Sequence, residues 1–478
     1  MKQIVGIVGA GTMGTGIALV AALHGARVVV CDDKAASLER GQELLGAALR
    51  DMVRRGRLDA SALDPLAARI DWTGEPARLA LADVVIEAIV EDAAVKRRVF
   101  AALEAVVRPD CILATNTSSL SVTDLAVGLA RPERFAGFHF FNPVPAMKLV
   151  EVVRGEATAP AVADRLAEIA AGWGKLPVAV RDVPGFIVNR VARPFYAEGF
   201  VALAEGRCDA VTIDRVLQDC GGFRLGPLAL ADMIGHDINY AAASGVHAAY
   251  RGRTRFRPQA LQARLVETGA LGRKAGRGIY DDAAPRAEPL FLVPGPVRTM
   301  ERGEVSLTAG LELKAGAAEA LPTDGYEVDG VLIALGDGRS AAARERAVGR
   351  PVILFDFCRD FAAAPVLAFA GSPGVSAAMM ATAAGFAAAC GKRAVAIPDR
   401  PGLLALRVWA QLANAAADAV ADGVASAGDI DLALRFGTNY PEGPLALAGR
   451  LDEGFMARCL GHIADETGDD IYRPAAGL

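Results

Sequence analysis

Two short segments carry residue types that can move a proton and hold an oxygen. Asn116-Thr117-Ser118-Ser119 follows one apolar, strand-forming run, and Gly137-Phe138-His139-Phe140-Phe141-Asn142-Pro143 ends the next. Ligands of α/β sheets bind at the carboxyl ends of the strands, so a hydroxyl and an imidazole on neighbouring strand ends can converge on one small substrate. The phenylalanines around His139 would partly desolvate its ring and favour the neutral form that a general base needs. Glu151 is one of only two charges in the otherwise apolar Met147-Lys-Leu-Val-Glu151-Val-Val. A carboxylate there can fix the imidazole tautomer and stabilise the imidazolium. Plainer readings exist for both: a histidine in an aromatic strand often completes a core, and Glu151 could serve a surface salt bridge.

The other chemical signal is Gly9-Ala10-Gly11-Thr12-Met13-Gly14, set between strand-like Ile4–Val8 and helical Ile17–Leu23. In this context the glycines have separate tasks. Gly9 permits a tight turn, Gly11 lets the backbone approach a pyrophosphate, and Gly14 allows the helix to pack on the strand. The helix N-terminus, with its free amides and positive dipole end, then faces the phosphates. Asp32 ends the next strand, Arg27–Cys31, where a carboxylate can accept from both ribose hydroxyls. It would repel a 2′-phosphate, which favours NAD over NADP.

These residues need a framework that lines up strand ends. The spacing predicts strands at Ile4–Val8, Arg27–Cys31, Val84–Ala88, Cys111–Thr115 and Ala136–Phe140, alternating with helices, and hence a parallel sheet covered on both faces. From Pro184 to about Asp281 the pattern becomes helical. A Pro- and Ala-rich linker follows at 282–295, strand patterns return at Val331–Leu335 and Val352–Phe357, and helices resume after Pro401.

The helical part is duplicated. Asp182-Val-Pro-Gly matches Asp399-Arg-Pro-Gly, and Gly226-Pro-Leu-Ala-Leu matches Gly443-Pro-Leu-Ala-Leu, both 217 residues apart. Gly174-Lys175 with Gly391-Lys392 and Ile213-Asp214 with Ile430-Asp431 keep the same offset.

With 478 residues the chain has room for several domains, and a net charge of −5 argues against nucleic-acid or anionic-membrane partners. Seven scattered cysteines without a CxxC pair suggest free thiols in a reducing compartment, and the set holds no metal-ligand spacing. The N-terminus reads as a strand rather than a signal peptide, so a cytoplasmic location is expected. Phe361–Gly391 carries no charge, but Gly371-Ser-Pro-Gly374 splits it into pieces too short to span a bilayer.

The segments GAGTMG, EAIVED, NTSSL, GFHFFNPVPAMKLVE, PGFIVNR and GRKAGRGIY, in this order over residues 1 to about 281, resemble the L-3-hydroxyacyl-CoA dehydrogenases. The total length, with its duplicated C-terminal region, resembles the long bacterial type acting on 3-hydroxybutyryl-CoA or 3-hydroxyadipyl-CoA. The resemblance implies NAD-dependent oxidation of an (S)-3-hydroxyacyl-CoA to the 3-oxoacyl-CoA, with His139 as base, Glu151 as its partner, and Ser118 and Asn189 holding the substrate oxygen and carbonyl. It implies that Glu91, Lys96, Asn142 and Lys274 line the dinucleotide, with Asn116 beside the nicotinamide. CoA contacts would fall on the helix after Asp32, where Ala48 replaces a polar residue and Arg54 and Arg55 keep positive charge. A related hydroxyacid or sugar-acid dehydrogenase and a non-enzymatic NAD-binding protein are the competing readings.

The expected architecture is an α/β Rossmann domain (1–183), an all-α substrate and dimerisation domain (184–282), a linker with a reduced Rossmann-like segment (283–398) and a second all-α domain (399–478). Under the 217 offset, Ser118 falls on Leu335, His139 on Asp356, Glu151 on Ala368 and Asn189 on Leu406. The second copy therefore reads as non-catalytic. It would imitate a partner subunit, giving either a homodimer or an internally paired monomer.

Overall fold

The computed structural model describes residues 3–281, 288–297, 300–301 and 325–478, so the expected linker lies partly outside the described residues. The chain forms two compact units, Met1–Val188 with Gly423–Gly437, and Asn189–Asp422 with Thr438–Leu478.

The first unit is built on eight strands: β1 (Ile4–Val8), β2 (Arg27–Cys31), β3 (Ile70–Thr73), β4 (Val84–Glu87), β5 (Ile112–Thr115), β6 (Phe135–Phe140), β7 (Leu149–Arg154) and β8 (Leu176–Arg181). Their order is β3-β2-β1-β4-β5-β6-β7-β8. Both faces are covered, which is why β4, β5 and β6 are buried along their whole length. Helices Thr12–Leu23 and Pro160–Gly172 supply part of that cover, through Ile17, Ala21, Leu166 and Ala170.

The sheet is not wholly parallel as expected. β6 and β7 run antiparallel, while the other pairs are parallel. The reason is the short connection: residues 141–148 cannot hold the crossover helix that a parallel return requires. Beside the last strands lies helix Ala427–Gly437 of the second copy, and the Arg181 amide donates to the Val424 carbonyl at 2.9 Å.

The second unit joins the helices of both copies to a six-stranded sheet. Its strands are β9 (Met300–Glu301), β10 (Tyr326–Val328), β11 (Val331–Leu335), β12 (Val352–Phe355), β13 (Val366–Gly371) and β14 (Arg393–Ala396), ordered β14-β13-β12-β11-β10-β9. The pairings of β11 to β14 reproduce those of β5 to β8, parallel, antiparallel, parallel. Lys392 donates to the Phe361 and Ala364 carbonyls as Lys175 does to Val144 and Met147. Among the described residues this sheet has no strands equivalent to β1–β4 and ends instead on β10 and β9. The uncharged Phe361–Gly391 stretch is a loop, β13 and helix Ala377–Ala389. Among the described residues no helix is long and apolar enough to cross a membrane.

One residue correspondence changes. In the register, Leu113 opposes Phe135 and Leu332 opposes Val352, so β11 is offset from β5 by 219 residues, not 217. Ser121 and Ser340 confirm this, each capping the helix that follows its strand. Ser118 thus corresponds to Asp337 rather than Leu335, because the connection from β11 to β12 is two residues shorter.

Between the helical copies, Arg193–Ala204 packs along Ala405–Ala421. Glu198 pairs with Arg407 at 2.8 Å and Arg190 with Asp418 at 2.8 Å. Trp409 stacks on Phe223, and its Nε1 donates to the Gly221 carbonyl.

Candidate active site

The glycine turn has the geometry its spacing requires. Gly9 has φ +108°, and a Cβ there would lie 2.6 Å from the Ala88 carbonyl oxygen. A Cβ on Gly14 would lie 1.9 Å from the Gly9 carbonyl oxygen, whereas one on Gly11 would meet nothing within 4 Å. Gly11 is the N-cap of Thr12–Leu23 and brings no side chain to its amides. The turn therefore presents open backbone and a helix N-terminus, which fits a pyrophosphate. The Asp32 carboxylate at the end of β2 accepts from the Ala10 and Lys34 amides at 2.9 and 3.0 Å, tying this acid to the turn. Ala10, Thr12 and Met13 complete the loop and first helical turn.

Past β4 the chain builds a charged cluster. The Lys96 ammonium, 1% exposed, sits 2.6 Å from Glu87 and 3.1 Å from Glu91. Glu91 also accepts from the Thr117 hydroxyl (2.6 Å) and the Ser118 amide (3.0 Å). Burial pushes the Glu91 carboxyl upward, but Thr117, Lys96 and the Ser118 amide outweigh it and hold it below the ordinary glutamate value. Two anchors here escaped the sequence reading. Glu87, fully buried, accepts from Lys96, Thr115 and the Ile89 amide. Asp182 accepts from the Ser121 hydroxyl and the Val122 and Thr123 amides, and so fixes the loop that carries Ser118. The duplicated Asp-x-Pro-Gly was the signal for Asp182.

The antiparallel register of β6 and β7 sets His139 directly opposite Glu151. His139 Nδ1 lies 2.7 Å from Glu151 Oε2, and both side chains are buried. Toward an ionised carboxylate, which only accepts, Nδ1 must carry a hydrogen, and in a neutral ring the lone pair is then on Nε2. Glu151 Oε1 accepts from the Ile187 and Val188 amides at 3.0 and 3.1 Å. The same carboxylate thus holds the ring and the turn through Gly185 and Phe186, both at positive φ. Phe141 and Phe186 pack around the imidazole, with centroids at 4.5 and 5.9 Å. Asn116 Oδ1 accepts from the Phe140 amide next to His139, and Asn142 is exposed at a cis peptide bond to Pro143.

In the second copy, Asp356 stands where His139 does and its amide donates to the Ala368 carbonyl. Asp356 accepts the Leu404, Ala405 and Leu406 amides, so the acid that holds this turn comes from the histidine position.

The other candidates are Arg54, Arg55, Asn189 and Lys274. Arg54 and Arg55 are exposed at the end of helix Ala35–Arg54, both paired with Asp51. Asn189 opens the second unit directly after Val188, and Lys274 lies in that unit 2.5 Å from Asp237.

The NAD binding domain of 3-hydroxyacyl-CoA dehydrogenase matches residues 4–183, and the C-terminal domain of that family matches twice, at 185–282 and 402–478. The 3-hydroxybutyryl-CoA dehydrogenase reduced Rossmann-fold domain matches 333–401. The chain is 40% identical to 3-hydroxyadipyl-CoA dehydrogenase of Escherichia coli K12, over 100% of this chain and 96% of that one. It is likewise 40% identical to 3-hydroxybutyryl-CoA dehydrogenase of Bradyrhizobium diazoefficiens over 60% of this chain and 97% of the relative. A crystal structure of 3-hydroxybutyryl-CoA dehydrogenase from Escherichia coli K12 superposes with a TM-score of 0.92 at 39% identity, covering 100% of this chain and 97% of that chain. The chain belongs to the 3-hydroxyacyl-CoA dehydrogenase family and is an NAD-dependent dehydrogenase of 3-hydroxyacyl-CoA thioesters.

Proposed function

We propose that the physiological substrate is 3-hydroxybutyryl-CoA or 3-hydroxyadipyl-CoA, taken as the (S)-alcohol, and that His139 is the general base. The observation that carries the second part is the buried His139–Glu151 contact of 2.7 Å, with Glu151 also bound to the Ile187 and Val188 amides. The names of the relatives carry the first part.

His139 Nε2 takes the 3-hydroxyl proton, and Glu151 stabilises the imidazolium that results. Ser118 steadies the substrate oxygen and Asn189 the thioester carbonyl. Bound NAD supplies the acceptor for the hydride released from C3. Gly9 to Gly14 hold its pyrophosphate and Asp32 its ribose, while Glu91, Asn116, Asn142 and Lys274 line it. Lys96 acts from beneath by fixing Glu91, and Arg54 and Arg55 meet CoA phosphate. We place domain boundaries near 183, 282 and 398, with one active site per chain. Our reading assigns the enzyme to the cytoplasm, with no nucleic-acid partner, as a homodimer or an internally paired monomer.

The test is steady-state kinetics with 3-hydroxybutyryl-, 3-hydroxyhexanoyl- and 3-hydroxyadipyl-CoA, alongside His139→Gln. A kcat/KM maximum at one of the two named substrates is expected; a maximum at the six-carbon monoacid would refute the assignment. His139→Gln should lower kcat by at least ~100-fold with NAD affinity unchanged. Near-normal turnover would remove His139 from the role of base.

A further inference from the structure

Within the second unit, helices Arg193–Ala204, His236–Ala249 and Ala260–Glu267 line a small pocket, open to solvent, which Gln411 and Ile471 border on the side of the second copy. Three arginines line it, and two of them have acidic neighbours. Arg257 lies 2.6 Å from Asp469 and Arg255 3.5 Å from Asp418. Glu198, a carboxylate on the lining, is already engaged by Arg407.

Arg193 is different. Among the described residues its guanidinium meets no carboxylate. Nη1 reaches only the Asn239 carbonyl, at 3.5 Å, and the buried Nε makes no hydrogen bond. The Tyr196 ring, 5.1 Å from its central carbon, offsets part of the desolvation but brings no countercharge. A guanidinium cannot escape by losing its proton, so among the described residues this positive charge has no acidic partner.

We propose that this cavity binds a short-chain carboxylate, its charged end on Arg193 and its hydrocarbon against Pro194, Phe200 and Phe256. Arginine's planar fork matches a carboxylate, and one positive charge without an acidic partner calls for a monoanion. The apolar walls favour an alkyl chain over inorganic phosphate, as in other small-molecule pockets. Gln262 donates to Asn239 Oδ1, which leaves the Asn239 amide nitrogen as a further donor on the lining. None of the residues lining this pocket is assigned above to the His139 centre or to the dinucleotide.

Butyrate is the probe, used on the full-length protein in calorimetric titration and thermal-shift measurements, with phosphate and chloride at matched ionic strength. Butyrate should bind and raise Tm in the wild type and equally in His139→Gln, which separates this site from the catalytic one. Arg193→Gln removes the charge, and Ala243→Phe fills the cavity while leaving the charge in place. Both should weaken butyrate binding at least ~10-fold and leave turnover of 3-hydroxybutyryl-CoA unchanged. If Arg193→Gln does not fold, Ala243→Phe decides alone. Absence of binding in the wild type, an equal response to phosphate, or undiminished binding in Ala243→Phe overturns the proposal.

Discussion

Glu151 joins two tasks in one side chain. Oε2 receives the His139 ring and Oε1 receives the amides of the turn that leads into the second unit. Both tasks need an acceptor, and a carboxylate offers acceptors on both oxygens. Glu151→Gln supplies one acceptor and one donor, so either the ring or the turn faces the wrong group. We expect kcat to fall at least ~100-fold through the wrong histidine tautomer. Stability should fall by about 1–3 kcal/mol through unsatisfied buried groups. Steady-state kinetics and urea unfolding measure the two effects separately; wild-type kcat in a folded Glu151→Gln enzyme would deny Glu151 its orienting role. The second copy marks the two tasks as separable, since Asp356 retains the turn without any histidine.

The elements make their own predictions, beginning with the glycine turn. Gly14 and Gly11 differ by only three positions but by a large margin in space. Gly14→Ala drives a methyl group into the Gly9 carbonyl and should cost about 1–3 kcal/mol by overpacking, together with NAD binding. Gly11→Ala meets nothing in the protein, so it should keep wild-type Tm and lose NAD affinity, because the methyl group occupies the approach of the pyrophosphate. Equal Tm losses in both variants would contradict this division of labour.

The strand-end cluster around Glu91 sets a pH dependence. Its pKa is held below the ordinary 4.5, so the stability it contributes is complete above about that pH and is lost as pH falls through the lower folded value. Acid unfolding curves should therefore show a stability loss below pH 4.5 that Glu91→Gln reduces. An unchanged slope in the variant would rule out Glu91 as a contributor.

The whole molecule shows what the added length accomplishes. Helix Ala427–Gly437 of the second copy packs on β7 and β8, and in the other unit Ala210–Asp219 of the first copy packs beside β13. These contacts are reciprocal: Gly437 abuts Leu149, while Cys220, 217 residues earlier, donates its thiol to the Val366 carbonyl. Such mutual exchange is the pattern of an isologous interface, here within one chain. We therefore expect a chain ending at Asp281 to self-associate or aggregate, because it loses the helix that covers Arg193–Ala204 and the one beside β8. Light scattering after size exclusion tests this; a monodisperse, active monomer would show that the second copy is not needed as a partner.

Much of this was legible in the residue order. β1, β2 and β11 occur where apolar alternation and flanking glycines place them, and the His139, Glu151 and Gly9–Gly14 signals are local in sequence. The constant 217-residue offset also revealed the duplication, because conserved turn chemistry needs only neighbouring residues. Other features depended on distant parts of the chain. The antiparallel β6–β7 pair, the two-residue shift that moves Ser118's counterpart to Asp337, and the burial of Lys96 between Glu87 and Glu91 emerge only from strand register and packing. Arg193 is the sharpest case. In sequence it is one arginine among many, and only the packing of three helices leaves its charge without an acidic partner among the described residues. Residue order alone determined the chemistry and the duplication, since spacing fixes which groups share a turn or a strand. Tertiary structure decided which charges are paired among the described residues and which second-copy residues stand where Ser118 and His139 do, because burial and long-range pairing exist only in the folded chain.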